Sequence, residues 1–342
     1  MKPALAAALL GAILVAVPED HGRPVIPNDP HDTLVVTPDS AVLQKSPIRA
    51  TQPGRVSFAV KFKEEVSPLP IIGMFVMPRE QVLVEAVLTD STVSYTAEAA
   101  AGQLTRLGPT RWRWTAPQQK GLYPVWVRDS ASGETVTLNA FVLVPMPTAA
   151  TIGEFMVGQY EGRPLRGDPT YARPAGFVEV TEQNRGTLVA PHFTIGQFAS
   201  KQSGGYPKYL VLRERLLLKL EMLLEEVRSA GMPATTFGVM SGYRTPFYNR
   251  SIGNETRYSR HVYGDAADIY VDDDGNGVMD DLDGDGETTL DDARALSGVI
   301  ASLSGKSWYQ PFEGGLGLYK GNRAHGPFVH VDVRGHPARW GP

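Results

Sequence analysis

The sequence predicts two domains: an all-β immunoglobulin-like sandwich, then an α+β domain with a central antiparallel sheet. Three observations carry this. Between Ile48 and Met146, short apolar segments alternate with polar positions and no helical periodicity intervenes. Near Tyr209 leucines begin to recur at three- and four-residue spacings. Beyond them come short apolar segments that carry polar residues at their ends, as strands of an α+β domain do.

In the first domain, taken as residues 48–146, Val56, Phe58, Val60 and Phe62 share the period of a half-buried strand. Leu83–Leu88, Arg111–Trp114, Leu122–Val127 and Thr135–Val144 repeat the signal, with Gly108-Pro109 and Ser132-Gly133 as turns. Regular short strands of this kind predict a sandwich. Trp112, Trp114 and Trp126 are expected in its core rather than on a glycan-binding surface. Residues 147–190, rich in proline and glycine, read as a connector over the surface. The second domain spans 191–342. Leu212, Leu216, Leu217, Leu220, Leu223, Leu224 and Val227 predict an amphipathic helix from about Tyr209 to Ser229. Arg213, Glu214, Lys219, Glu221 and Glu225 form its polar side, and Gly231 and Pro233 stop it. Phe237–Met240 is then a strand leading into Ser241-Gly-Tyr-Arg244.

At the other end, Lys2 precedes an apolar run from Ala4 to Val17. This predicts a secretory signal peptide or a membrane anchor over residues 1–20, followed by a polar tether over 21–47. The rest of the chain is then expected outside the cytoplasm, periplasmic or at the cell surface. Apolar residues make up 42% of the chain and charged residues 20%, an ordinary globular composition. The net charge of -4 speaks against a nucleic-acid partner. The absence of cysteine excludes thiolate metal sites, disulfides and cysteine nucleophiles.

The densest chemistry lies in Ser259-Arg-His261-Val-Tyr-Gly264-Asp-Ala266-Ala-Asp268 and, farther on, Phe328-Val-His330-Val-Asp332. Two histidines and an aspartate are a three-ligand zinc set with one position left for water. Alternate strand residues share a face, so His330 and Asp332 point one way and Val329, Val331 and Val333 the other. Gly264 permits the tight turn that brings His261 back beside Asp268. The spacing alone leaves open whether His330 or Asp332 is the ligand.

These motifs, with Ser241-Gly-Tyr-Arg244 before them and Gly315-Leu-Gly-Leu-Tyr319 between, resemble the zinc D-alanyl-D-alanine carboxypeptidases and dipeptidases. That group also includes murein endopeptidases and the hedgehog signalling domain. The resemblance covers about residues 191–342. It implies zinc bound by His261, Asp268 and His330, a substrate oxygen held by Arg244, and hydrolysis of a peptide bond in peptidoglycan. Many members have a glutamate base three residues before the last histidine, where this chain has Pro327. Asp332 is the expected replacement as base, with His325 as auxiliary.

Residues 272–292 form an acidic insertion in which two D-x-[DN]-x-[DN]-G registers predict calcium. The first uses Asp272, Asp274 and Asn276 with a closing Asp283; the second uses Asp281, Asp283 and Asp285 with a closing Asp292. A calcium-stabilised wall-binding module without catalysis is the competing expectation.

Overall fold

The structure, a computed structural model, describes residues 54–87 and 93–342. The expected signal or anchor segment and the tether lie outside the described residues. Among the described residues no helix is long and apolar enough to cross a membrane.

Residues 59–142 form two five-stranded sheets. The first runs Glu65–Ser67, Ala59–Phe62, Gln81–Val87, Arg111–Thr115, Gln103–Arg106, all antiparallel. The second joins Ile71–Val76, Thr135–Val142, Val125–Asp129 and Tyr95–Ala99, with Gly121–Leu122 on the long strand. Its Ile71–Val76 and Thr135–Val142 pair in parallel. Period-two alternation puts Trp112 and Trp114 in the core, with Trp114 fully buried, whereas Trp126 lies on the other face of its strand and is only half-buried.

The segment 147–190 is more than a surface connector. Gly176–Val180 pairs with both Val144–Pro145 and Lys208–Leu210, and Phe177, Val178 and Val180 are buried. Its prolines and glycines punctuate short elements that carry their own apolar residues inward.

The helix begins at Glu214 rather than near Tyr209, because Lys208–Leu210 is used as a strand. Its polar side also differs from expectation: Glu214, Lys219 and Glu221 are all buried. The helix packs against Ile71–Val76 as well as against the helix Leu290–Ala301, so both sides are covered. Each buried charge has a partner, as burial requires. Glu214 accepts from Phe75 N at 3.0 Å and Lys63 Nζ at 2.7 Å. Glu221 accepts from His192 N at 2.8 Å and contacts His192 Nδ1 at 2.7 Å. Lys219 donates to the Asp332 carbonyl at 2.7 Å. One apolar core runs from Val56 to Val333 through these contacts.

The sheet of the second half has the order Phe237–Ser241, Ala266–Val271, Phe328–Asp332, Gly315–Tyr319, Ala338–Trp340. The first four strands are antiparallel and the last joins in parallel. Its register aligns Ser241, Asp268, His330, Gly317 and Trp340 in one row across the sheet.

Candidate metal centre

Three residues of this region converge. His261 comes from a single turn, Arg260–Tyr263, which ends at Gly264 with φ of 74°. A side chain at Gly264 would be strained by that left-handed backbone and would also lie 2.4 Å from the Val211 carbonyl. The turn is held from behind: Arg260 donates Nε–H to Asp265 Oδ1 at 2.9 Å and stacks 4.2 Å from the Tyr171 ring centre. Asp268 and His330 face each other across paired strands.

His261 Nε2 lies 3.0 Å from His330 Nδ1 and 3.2 Å from Asp268 Oδ1, and His330 Nδ1 lies 2.9 Å from the same oxygen. All three residues are buried, and together they form a group that can hold one metal ion. Ligands of a tetrahedral zinc, each about 2.0–2.1 Å from it, stand about 3.3 Å apart. The observed triangle is close to that.

The outer nitrogens explain which inner ones are offered. His261 Nδ1 donates to the Gly242 carbonyl at 2.7 Å, and His330 Nε2 donates to Asp332 Oδ2 at 3.1 Å. Each ring therefore carries its proton on the outside and presents a lone pair inward. Two lone pairs and a carboxylate oxygen at this spacing call for a positive charge among them, a ring proton or a cation, and a divalent cation fits that donor set. Burial, the largest influence, lowers the His261 pKa and favours the neutral ring a metal needs. Burial acts the same way on His330, but hydrogen bonds to Asp268 and Asp332 prevail and raise its pKa. Burial works against an ionised Asp268, yet His261, His330 and Arg244 hold its carboxyl far below the usual range.

Asp332 is displaced from the expected role of base. It lies behind His330, fully buried, and every acceptor position is engaged. Oδ1 accepts from Gly315 N at 2.8 Å and Arg334 N at 3.1 Å; Arg334 Nε and Nη2 reach both oxygens at 2.5–3.0 Å. Burial opposes its ionisation, but His330 and Arg334 hold it well below the carboxylate range. So poor a proton acceptor, on the far side of the imidazole, orients the ligand instead. Alternation on the strand showed that the two share a face; it does not say which imidazole nitrogen the carboxylate meets.

Arg244 reaches the cluster from the Ser241–Arg244 turn. Nη2 donates to Asp268 Oδ2 and Nε to Ser241 Oγ at 2.8 Å. Its first partner is thus the outer oxygen of a ligand. His325 is not grouped with the three. It lies in the loop before the His330 strand, in contact with Asn322 Nδ2 and the Gly326 carbonyl, and its ring packs on Phe328 at 5.0 Å.

Three supporting residues escaped the sequence reading. Arg334 pairs with Asp332, Lys219 holds the Asp332 carbonyl, and Trp340 lies 5.0 Å from the His330 ring. Gly317 explains the last: a Cβ there would stand 2.4 Å from the indole. Two residues past Asp332 in a polar tail, Arg334 gave little signal, and Trp340 depended on an edge strand that periodicity did not show.

The acidic insertion brings its carboxylates together in a register that differs from the expected one. Asp272, Asp274 and Asp280 form one group, and Asp281, Asp283 and Asp285 another. Asp280 takes the place expected of Asp283 in the first, because its Oδ2 accepts from Asp273 N at 2.7 Å. Asn276 turns to Asp274, donating Nδ2–H to Oδ2 at 2.9 Å. Asp292 is a helix cap: it accepts from Thr289 N at 2.6 Å and Leu282 N at 2.6 Å at the start of Leu290–Ala301.

No curated protein and no solved structure matches the chain. Residues 191–281 match the model of the Peptidase M15 family. The match ends before the strand that bears His330, and the part of the chain that carries Arg244, His261 and Asp268 is similar to the M15 zinc peptidases.

Proposed function

We propose that the protein is an exported zinc metallopeptidase that hydrolyses peptide bonds of peptidoglycan stem peptides, as a D,D-carboxypeptidase or an endopeptidase. The observation that carries this reading is the convergence of His261 Nε2, Asp268 Oδ1 and His330 Nδ1, each ring locked by an outer hydrogen bond. Zinc bound there supplies Lewis acidity and a water made acidic near neutral pH. Arg244, anchored on Ser241, presents a guanidinium beside the cluster that suits a carbonyl oxygen or carboxylate of the substrate. With Asp332 committed to His330, the proton-transfer role falls in this reading to His325, whose ring packs on Phe328, two residues before His330 on its strand. The two sheets of residues 59–142 are, in this reading, an immunoglobulin-like sandwich next to the peptidase part.

Calcium in the acidic insertion belongs to the same reading. Asp272 Oδ1 is buried with no hydrogen-bond partner, inside one of the two carboxylate groups. A cation there would brace the loop that leaves the Asp268 strand. Calcium-selective chelation then lowers the melting temperature, and an unchanged melting curve removes calcium from the account.

Digestion of purified peptidoglycan by the zinc-loaded protein tests the function. Released D-alanine or cleaved cross-links, abolished in His261→Ala, support it. A wall preparation left intact by protein that holds stoichiometric zinc favours the binding module, the reading to which the missing glutamate at Pro327 points.

A further inference from the structure

The pairing of Gly315–Tyr319 with the His330 strand runs from Phe328 to Val331 and stops one residue short of Asp332. Past that point, loop backbone and side chains do the holding. Gly315 N donates to Asp332 Oδ1 at 2.8 Å, and Arg334 clasps the carboxylate. The main-chain carbonyl of Asp332 accepts from Lys219 Nζ at 2.7 Å, a contact between residues 113 positions apart. Gly314 makes room beside this carbonyl, because a Cβ there would overlap it.

Lys219 is only 1% exposed, and its ammonium also stands 5.4 Å from the centre of the buried Tyr309 ring. Burying an ammonium costs more than burying a neutral side chain of similar length. Filling the helix interface does not call for that cost. What the position provides is a donor fixed on the residue behind a metal ligand. Asp332 Oδ2 accepts from His330 Nε2 at 3.1 Å, and His330 Nδ1 then faces Asp268 Oδ1 and His261 Nε2. An unbroken line of hydrogen bonds thus runs from the long helix through Lys219 and Asp332 to His330.

We propose that Lys219 is a positioning residue of the metal centre: by pinning the main chain of Asp332 it sets how the carboxylate meets His330, and so how tightly zinc is held. This rests on the zinc-peptidase reading and adds the helix Glu214–Ser229 to the parts that hold the metal.

Zinc affinity, read by competition with a chromophoric chelator at neutral pH, is compared in the wild type, Lys219→Met and Lys219→Gln. Melting curves of the metal-free proteins and visible spectra of their cobalt(II) forms are taken alongside. Methionine fills a similar length without charge or donor, and glutamine keeps a donor on a shorter stem. Lys219→Met weakens zinc binding about tenfold, the low end for lost support behind a histidine ligand. Lys219→Gln weakens it less, and the cobalt bands of Lys219→Met shift because His330 has turned. A lysine with a structural role alone would change only the melting temperature. Wild-type zinc affinity in Lys219→Met therefore overturns the proposal, whatever the melting curve does. So does a loss of affinity with the cobalt bands unmoved. If Lys219→Met does not fold, Lys219→Gln is judged by the same two criteria. Zinc held equally by all three proteins defeats Lys219 alone; a wild type that binds no zinc defeats the peptidase reading and this proposal with it.

Discussion

At the scale of single residues, the candidate metal ligands differ from their neighbours by what their outer atoms do. His261 and His330 each use one nitrogen for an acceptor in the protein, Gly242 O and Asp332 Oδ2. Asp332→Asn therefore weakens zinc binding by about 10–100-fold, the range for a lost carboxylate behind a histidine ligand. Competition against a chelator measures this. Zinc affinity left at the wild-type value, with kcat down by about 10²–10⁴, would return Asp332 to the role of base. His261, Asp268 and His330 were legible in the sequence because their residue types and strand phase suit a metal. The type of Asp332 fits a base as well as an orienting partner. Its hydrogen bonds to His330, Gly315 and Arg334 favour the second.

Among the elements, the helix Glu214–Ser229 shows where periodicity stops being informative. Its leucines gave the apolar face correctly, and its polar residues read as a solvated side. In the fold that side is buried, since the strand Ile71–Val76 and the sheet strands contribute backbone acceptors and donors that a sequence does not display. Lys219 is the sharpest case. Burial pulls its pKa down to about 8, against the pull of Asp332 and Glu313. A lysine whose folded pKa lies below its unfolded one costs stability while charged. That cost disappears as pH rises through the folded value toward the unfolded one, near 10.5. Relative to Lys219→Met, the wild type accordingly gains about 2 kcal/mol between pH 7 and pH 10. Denaturant midpoints of the two proteins across that range give the difference. A difference that stays flat, or falls, contradicts the buried-lysine account.

On the scale of the whole molecule, the site depends on parts that the sequence assigned to separate regions. Thr170 and Tyr171, from the segment taken as a connector, hold Arg260 behind the His261 turn. Phe75, from the first set of sheets, holds Glu214 at the start of the helix whose Lys219 supports Asp332. Local patterns reported most of the strands and the long helix, but contacts between residues about 90 to 140 apart leave no local trace. The short strands Tyr95–Ala99 and Gln103–Arg106 went unread for a related reason: their faces are only partly buried, so alternation is weak.

Zinc binding by the purified chain tests the central claim most directly. Titration against a chelator should give one zinc per chain in the wild type and near-complete loss in Asp268→Asn and in His330→Ala, with both variants still folded by circular dichroism. Tight zinc retained in these variants, or none in the wild type, would contradict the assignment of His261, Asp268 and His330 as a metal centre.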